Sequence, residues 1–509
     1  MAIKGAGCYR QADKVRNGRG IFMKRIVIGV IAAIFLVAAV AVVRTLVTTA
    51  PKSQAQAAPA IGMDPRVLAQ HLGQAVRFKT ISYGGGAHEA DKTAALVSLR
   101  DWMVKTYPHF NKIAKRELLG RSVVYTWPGK NPSLKPILLM AHMDVVPVVP
   151  GTERSWAHAP FSGDVASGFV WGRGAIDDKG SLVMLLEAAE RLARSGVQPE
   201  RTVMFAFGED EEVGGNAGNA VIAKTLAARG VHFFFVLDEG DAIVDEPFPG
   251  VQKPIAFVAV VEKGYLSLEL VAHGEGGHSS RPMHDMAIVR LAGAVLKVVD
   301  HPFASGLDQI QREKLSVVAP YAPFPQRLLL ANLWLTEPIV DRFFLTTPED
   351  EARLHTTIAP TIIEGGIKDN VLPPEARATI NFRLHPRDTI ASVVEHVRRA
   401  IDDPKVDVIV LNESKEEASP VADIHGEAYR YLVTQIKGSF NDMPVAPDMT
   451  TGATDSRYYA GMSDAVFRLD PFHFGPGDLG RVHGTNERLA IRDLAPAVSF
   501  YMRLIENAK

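Results

Sequence analysis

The most constraining feature of this chain is an alternation. Short apolar runs bounded by turn residues exchange with helix-period segments through the first half of its body. Residues 135–141 (KPILLMA), 202–207 (TVMFAF) and 232–237 (HFFFVL) are continuous apolar runs of strand length. Between them lie 181–195, with Leu182, Leu185, Leu186 and Ala189 on one face, and 221–229. A strand without a polar side has to be covered on both faces. The pattern therefore predicts an α/β fold, a mostly parallel sheet with helices on both faces. Residues 64–78 and 90–107 add two helices ahead of it.

From about Glu262 the texture changes. Residues 265–272 (YLSLELVA) alternate strictly, as a half-exposed strand does. Residues 357–363 and 376–384 are again strand-like, and 285–299 and 390–401 are helical. This predicts a smaller α+β domain over 262–411, set between two parts of the main domain at 62–261 and 412–509. The second part begins with a helix at 424–436 and ends with one at 494–507. The stretch 301–350 is apolar and Pro-containing and fits neither pattern. At 509 residues the chain is long enough for such an arrangement.

The N-terminus departs from the rest. Residues 26–43 (IVIGVIAAIFLVAAVAVV) are 18 apolar residues without a charge, preceded by Lys24 and Arg25. Arg16, Arg19, Lys24 and Arg25 outnumber the lone Arg44 beyond the run, which keeps the N-terminus cytoplasmic and exports the remainder. The expected layout is a cytoplasmic segment (1–25), a transmembrane anchor (26–46) and a linker (47–61). The alternative is a signal peptide cut at the Ala-x-Ala pattern of Ala55 and Ala57, with Met23 as its start. Either way the body is extracytoplasmic, whether periplasmic, extracellular or luminal.

A formal net charge of −1, without a basic block in the body, argues against nucleic-acid binding. The single cysteine, Cys8, lies ahead of the apolar run, so no disulfide and no thiolate metal site are available to the body. Any metal has to be held by His and carboxylates.

Such residues follow each buried run. The first ends in His142-Met143-Asp144, the second leads into Glu209-Asp210-Glu211-Glu212, and the third ends in Asp238-Glu239. In an open parallel sheet, ligands bind outside the carboxyl ends of the strands, so three runs deliver these groups to one edge. One charge-rich turn is ordinarily just solvated; three at one edge are not so easily set aside. Between the first two runs, GRGAIDDKG (172–180) places Asp177 and Asp178 ahead of a helix. A helix cap accounts for one Asp, not both. Mixed imidazole and carboxylate ligands suit a pair of divalent metals, zinc foremost, with cobalt or manganese as alternatives. Of the adjacent Glu211 and Glu212, one suits a metal and the other a proton.

These motifs resemble the M-twenty metallopeptidases, the family of carboxypeptidase S and aminoacylase, over nearly everything from Asp64 onward. The resemblance implies two metals held by His142, Asp177, Glu212, Asp238 and His483 (in RVHGTNE). Asp177 would bridge them, and a cis peptide would precede Asp178. Asp238 is preferred over the adjacent Glu239. Glu211 would be the general base and Asp144 the residue orienting His142. The smaller domain corresponds to the family's lid and dimerisation domain. There His278, in GHSS, would polarise the scissile carbonyl, reaching the site from a partner subunit. Asn370, Arg383 and Arg457 match substrate-side positions. The expected activity is hydrolysis of an amide beside a free carboxylate, as a carboxypeptidase or dipeptidase acting on peptides. The alternative is an N-acyl, including N-fatty-acyl, amino acid amidohydrolase. The apolar stretch around 319–344 suits an acyl-chain or membrane-facing lid, and equally a core or dimer interface. A catalytically silent binding protein is disfavoured because every expected ligand and the base are present.

Overall fold

The computed structural model describes residues 6–51, 62–84 and 88–509. The linker with its Ala55 and Ala57 pattern lies, from residue 52 on, outside the described residues. The first half of the body contributes β1 (Lys115–Leu119), β2 (Ser122–Trp127), β3 (Ile137–His142), β4 (Val203–Gly208), β5 (Phe235–Val244) and β6 (Ile255–Glu262). The chain then builds β7 (Gly264–His273), β8 (Thr357–Gly365), β9 (Glu375–Leu384) and β10 (Val406–Glu416). It returns with β11 (Val445–Thr450) and β12 (Val466–Phe474).

Eight of these strands form one sheet in the order β1-β2-β4-β3-β5-β12-β6-β11. Its four central strands, β4-β3-β5-β12, run parallel. The neighbouring β2 and β6 run against them, so the sheet is mixed, parallel at the centre. The central strands are apolar on both sides because both sides are covered. On one face Leu139, Phe205 and Leu237 join Leu182, Leu185 and Val498. On the other, Leu138, Met140 and Met204 meet Ile222 and Leu226.

The other four strands pair antiparallel in the order β8-β9-β7-β10. Along β9 buried and half-buried residues alternate, as one covered face requires. The covering helices are Ala287–Asp300 and Ile390–Ile401, which share a core with Leu268, Leu270, Ile380 and Phe382.

The stretch from 301 to 350, which matched neither pattern, is helical: Gln309–Val318, Phe324–Leu330 and Leu333–Phe344. The first packs along β11, with Lys314 and Gln311 reaching the buried Asp448. At the N-terminus a single helix runs over Ala6–Val47. Its segment Met23–Val47 is long and apolar enough to cross a membrane.

Candidate active site

Parallel register brings the predicted groups together. His142 is the last residue of β3 and pairs with Gly208 of β4, so the acidic run 209–212 begins beside it. The four acids then part company. Glu209 accepts the Arg121 amide at 3.1 Å and Asp210 accepts the Ala217 amide at 2.8 Å, both fastening the local chain. Glu211 and Glu212 turn the other way, toward His142 and the 172–178 loop.

Asp177 lies at the centre. The His142 Nε2 atom is 2.8 Å from its Oδ1, and the His483 Nε2 atom is 2.9 Å from its Oδ2. Glu239 Oε1 stands 3.3 Å from His142 Nε2, and Glu212 Oε2 stands 3.1 Å from His483 Nε2. Two donor groups result, His142–Asp177–Glu239 and Asp177–Glu212–His483, each with its ligand atoms within 4.8 Å of one another. They share Asp177, which leads into both with one oxygen each.

Four of the five expected ligands are therefore brought together, and the fifth is replaced by its neighbour. Asp238 is buried, and its carboxylate accepts the Ser456 amide at 2.8 Å. Side chains alternate along a strand, so when Asp238 points back toward the 454–457 loop, Glu239 points at His142. The family resemblance favoured Asp238 over Glu239, and in this structure it is Glu239 that stands beside His142.

The donor set fits divalent cations. Imidazole and carboxylate without thiolate is the chemistry of zinc and its borderline neighbours. The electrostatics agree. Burial, reinforced by Asp177, pushes the Glu239 carboxyl well above its ordinary range. Burial also pushes Glu211 well above it, with Asp455, Glu212 and Asp177 adding to the rise and the His142 charge opposing it. Acids crowded in this way favour a proton or a cation. Asp144 is different. Burial alone would raise it, but bonds from His142 and Ser82 hold it low. It also accepts the Glu211 amide at 3.1 Å, so it ties His142 and the turn that carries Glu211 together.

The sequence reading missed the clamp behind this cluster. Arg173 and Glu487 form a buried ion pair at 2.6 Å. Glu487 accepts the Ile176 and Asp177 amides at 2.9 and 3.3 Å, and Arg173 donates to the His483 and Gly484 carbonyls at 2.9 and 3.0 Å. One pair thus ties the Asp177 loop to the His483 loop. The loop is tightly seated: at Gly172 (φ +145°) a Cβ would meet Val76 at 2.4 Å and the Pro160 carbonyl at 2.8 Å. The peptide between Asp177 and Asp178 is cis.

A cavity of about 930 Å³ opens over the cluster, with Glu211, Glu212, His483, Tyr265, Arg383 and Arg457 in its wall. Arg457 is committed to the protein, donating to the Gly214 carbonyl at 2.7 Å and pairing with Glu416 at 2.9 Å. Arg383 lies over the Tyr265 ring at 4.6 Å and has no carboxylate within ion-pair distance among the described residues. His278 and Asn370 are elsewhere. They sit on an exposed two-stranded ribbon, Gly277–His278 against Val371–Leu372, where Asn370 accepts the Ser279 amide. Neither contacts the donor cluster within this single chain.

The family model described as "Peptidase family M20/M25/M40" matches residues 138–507. The chain is 40% identical over 445 residues to "Probable carboxypeptidase S-like 2" of Dictyostelium discoideum, covering 87% of this chain and 85% of that one. It is 36% identical over 448 residues to the "N-fatty-acyl-amino acid synthase/hydrolase PM20D1" of Xenopus tropicalis, covering 87% and 86%. Among solved structures, an M20 family metallo-carboxypeptidase from Sulfolobus solfataricus superposes with a TM-score of 0.62 at 17% identity, covering 87% of this chain and 99% of that one.

Proposed function

This chain belongs to the M20 metallopeptidase family and is a metal-dependent hydrolase; from that premise we propose that it cleaves an amide bond adjacent to a free carboxylate, releasing a C-terminal residue from a peptide. The observation that carries the reading is that one cavity holds a half-buried carboxyl, Glu211, and a guanidinium, Arg383, that has no carboxylate within ion-pair distance among the described residues. A planar guanidinium accepts a carboxylate with two parallel hydrogen bonds, which fixes the neighbouring amide in place.

His142, Asp177 and Glu239 would hold one divalent cation, and Asp177, Glu212 and His483 a second; zinc is the preferred metal. Bound there, the cations would supply Lewis-acid polarisation of the amide carbonyl. Glu211 takes the proton from the attacking water and delivers it to the leaving amine, for which a carboxyl raised by burial is suited. Asp144 keeps His142 oriented, and Arg457 shapes the wall.

A second reading, an N-fatty-acyl amino acid amidohydrolase, is favoured by one specific observation, the 36% identity to a relative named for that activity. It uses the same base and the same carboxylate clamp, with an acyl chain in place of the peptide.

We also propose that residues 262–411 form a lid through which two copies pair, bringing His278 of one to the cavity of the other. Supporting this, β8 is an edge strand with exposed Ile362 and Ile363, and the helix beside it exposes Val289 and Leu296. The N-terminal helix is proposed as an uncleaved anchor that keeps the body outside the cytoplasm.

The test is to assay the purified protein on dipeptides and N-acyl amino acids before and after exhaustive chelation. Activity is expected to fall to background and to return with zinc, cobalt or manganese. In Glu211→Gln, kcat should drop by about 10²–10⁴-fold with metal content unchanged. Full activity in the chelated protein or in Glu211→Gln would overturn the reading.

A further inference from the structure

Outside the active site, the most unusual surface belongs to the helical hairpin Phe324–Leu330 and Leu333–Phe344. Its second helix is apolar on two sides. Thr336, Val340 and Phe344, four residues apart, are buried against the body. The adjacent row Leu335, Ile339 and Phe343, also four apart, is exposed at 48%, 59% and 50%. Trp334 and Phe324 extend it, at 54% and 47%. The helix's acids do not relieve this face. Glu337 turns to Arg312 at 2.6 Å, and Asp341 accepts the Leu307 amide at 3.2 Å. Behind the row is a cavity of about 170 Å³, walled by Phe248, Val251, Leu330, Ile339 and Phe343 among others. An apolar cavity of this kind is poorly hydrated.

What covers the face is indicated by its neighbour. The hairpin grips the end of the N-terminal helix: Asn332 Nδ2 donates to the Ala41 carbonyl and to Thr45 Oγ1, both at 3.1 Å, and Arg44 donates to the Ala331 carbonyl at 3.4 Å. Ala41 lies six residues inside the apolar span that ends at Val47. At 1.5 Å per residue that is about 9 Å along the helix axis. A hairpin bonded at that depth cannot stand clear of a bilayer that holds the span. Its outward row, with a Trp at one end, has the make-up of an interfacial helix.

We propose that the outward face of this hairpin is a membrane-apposition surface, with Leu335, Ile339 and Phe343 seated in the headgroup–acyl boundary of the bilayer that holds the N-terminal helix. This rests on the anchor reading given above. The occupant is lipid, because the face is continuous with an apolar helix of membrane length. The hairpin also fixes the body to the anchor, so the catalytic body is held against the membrane surface instead of swinging on a free linker.

The experiment uses the full-length protein in vesicles of phosphatidylcholine and phosphatidylglycerol. Cys8→Ser removes the only native thiol, and single spin labels are then placed through Ile339→Cys, Phe343→Cys, Val37→Cys in the N-terminal helix, and Ile409→Cys on the distant small sheet. The readout is collision with molecular oxygen against a water-soluble nickel complex. Labels at 339 and 343 should show an oxygen-to-nickel ratio several-fold above that at 409 and close to that at 37. If 37 is embedded while 339 and 343 match 409, the apposition is overturned and the anchor stands. If 37 also matches 409, both are overturned. Protection of 339 and 343 from both reagents, with spin–spin broadening, would mean that a second copy covers the face, and also overturns the proposal. None of these readouts depends on catalysis, so the proposed activity stands or falls separately.

Discussion

The large sheet and the small one handle their polar groups in opposite ways. At the carboxyl edge of the large sheet, the side chains of His142, Asp144, Glu212 and Asp238 are nearly or fully buried, and each is held by at least one hydrogen bond or ion pair. A buried pair, Arg173 and Glu487, then locks two loops over them. On the small sheet, His278 and Asn370 ride an exposed two-residue ribbon whose side chains have no partner near the donor cluster. From that side Tyr265 on β7, Arg383 on β9 and Glu416 on β10 face the cavity. The half of the site that holds charge against charge is thus fixed within one chain, because an untethered buried carboxylate would be expelled or neutralised. The half proposed to meet substrate has no such tethers to the cluster within one chain among the described residues, as the proposed pairing of two copies through the small sheet requires.

The strongest way to break this comparison is to show that the small sheet contributes nothing. His278→Ala is expected to lower kcat by about 10²–10³-fold, the usual cost of removing one oxyanion donor. Metal content and the melting temperature should not move, since the side chain is exposed and unpacked. Mixing His278→Ala with Glu211→Gln subunits then sharpens the result. In a randomly mixed dimer about half the molecules carry one intact site assembled from both chains, restoring about a quarter of the wild-type rate. A mixture as inactive as its components, from a protein that sediments as a dimer, would place His278 in its own subunit's site.

Much of the fixed half was legible in the sequence, for a reason that also explains what was not. Continuous apolar runs ending in His142, Glu211–Glu212 and Asp238–Glu239 announce parallel strands and a common edge, because periodicity reports burial on both faces. Periodicity cannot say which of two adjacent acids points inward, so the preference for Asp238 over Glu239 rested on resemblance alone, and the phase of β5 places Glu239 beside His142 instead. Arg173 and Glu487 carried no signal: they lie 314 residues apart and act only once two loops meet. Residues 301–350 escaped because their helices are apolar on more than one side, which blurs a 3.6-residue period. The β1–β2 hairpin escaped as well, its outer strand being short and largely solvated.

A smaller effect tests the contribution of Arg383. Its guanidinium faces the cavity without a carboxylate partner among the described residues, and burial, with Arg457 nearby, lowers its proton affinity. Such a group is stabilised by a substrate carboxylate. Arg383→Ala should raise KM by about 10–100-fold on carboxylate substrates, equivalent to about 1.4–2.8 kcal/mol, with kcat much less affected. Analogues ending in a carboxamide should be indifferent to the change. Equal loss on both would mean that Arg383 supports the cavity wall through Tyr265 instead of reading charge.

The smallest expected effect comes from Asp238, the first of two adjacent acids in the middle of β5. Asp238 accepts the Ser456 amide, and through that loop it positions Arg457 in the cavity wall. An asparagine at 238 keeps a carbonyl oxygen for the same bond, so Asp238→Asn should weaken metal binding no more than about tenfold, the low end for a residue acting behind the ligands. Glu239→Gln removes a charged donor from the His142–Asp177 group and should weaken binding by more than about 100-fold, read by competition with a chromogenic chelator. The two affinities are measured on otherwise identical chains, so global stability does not confuse their ratio. A reversed order would make Asp238 the ligand after all and would require β5 to twist locally at residues 238–239 when metal binds. In that case the fixed half of the site would be less rigid than its tethers imply, and the contrast between the two sheets would narrow.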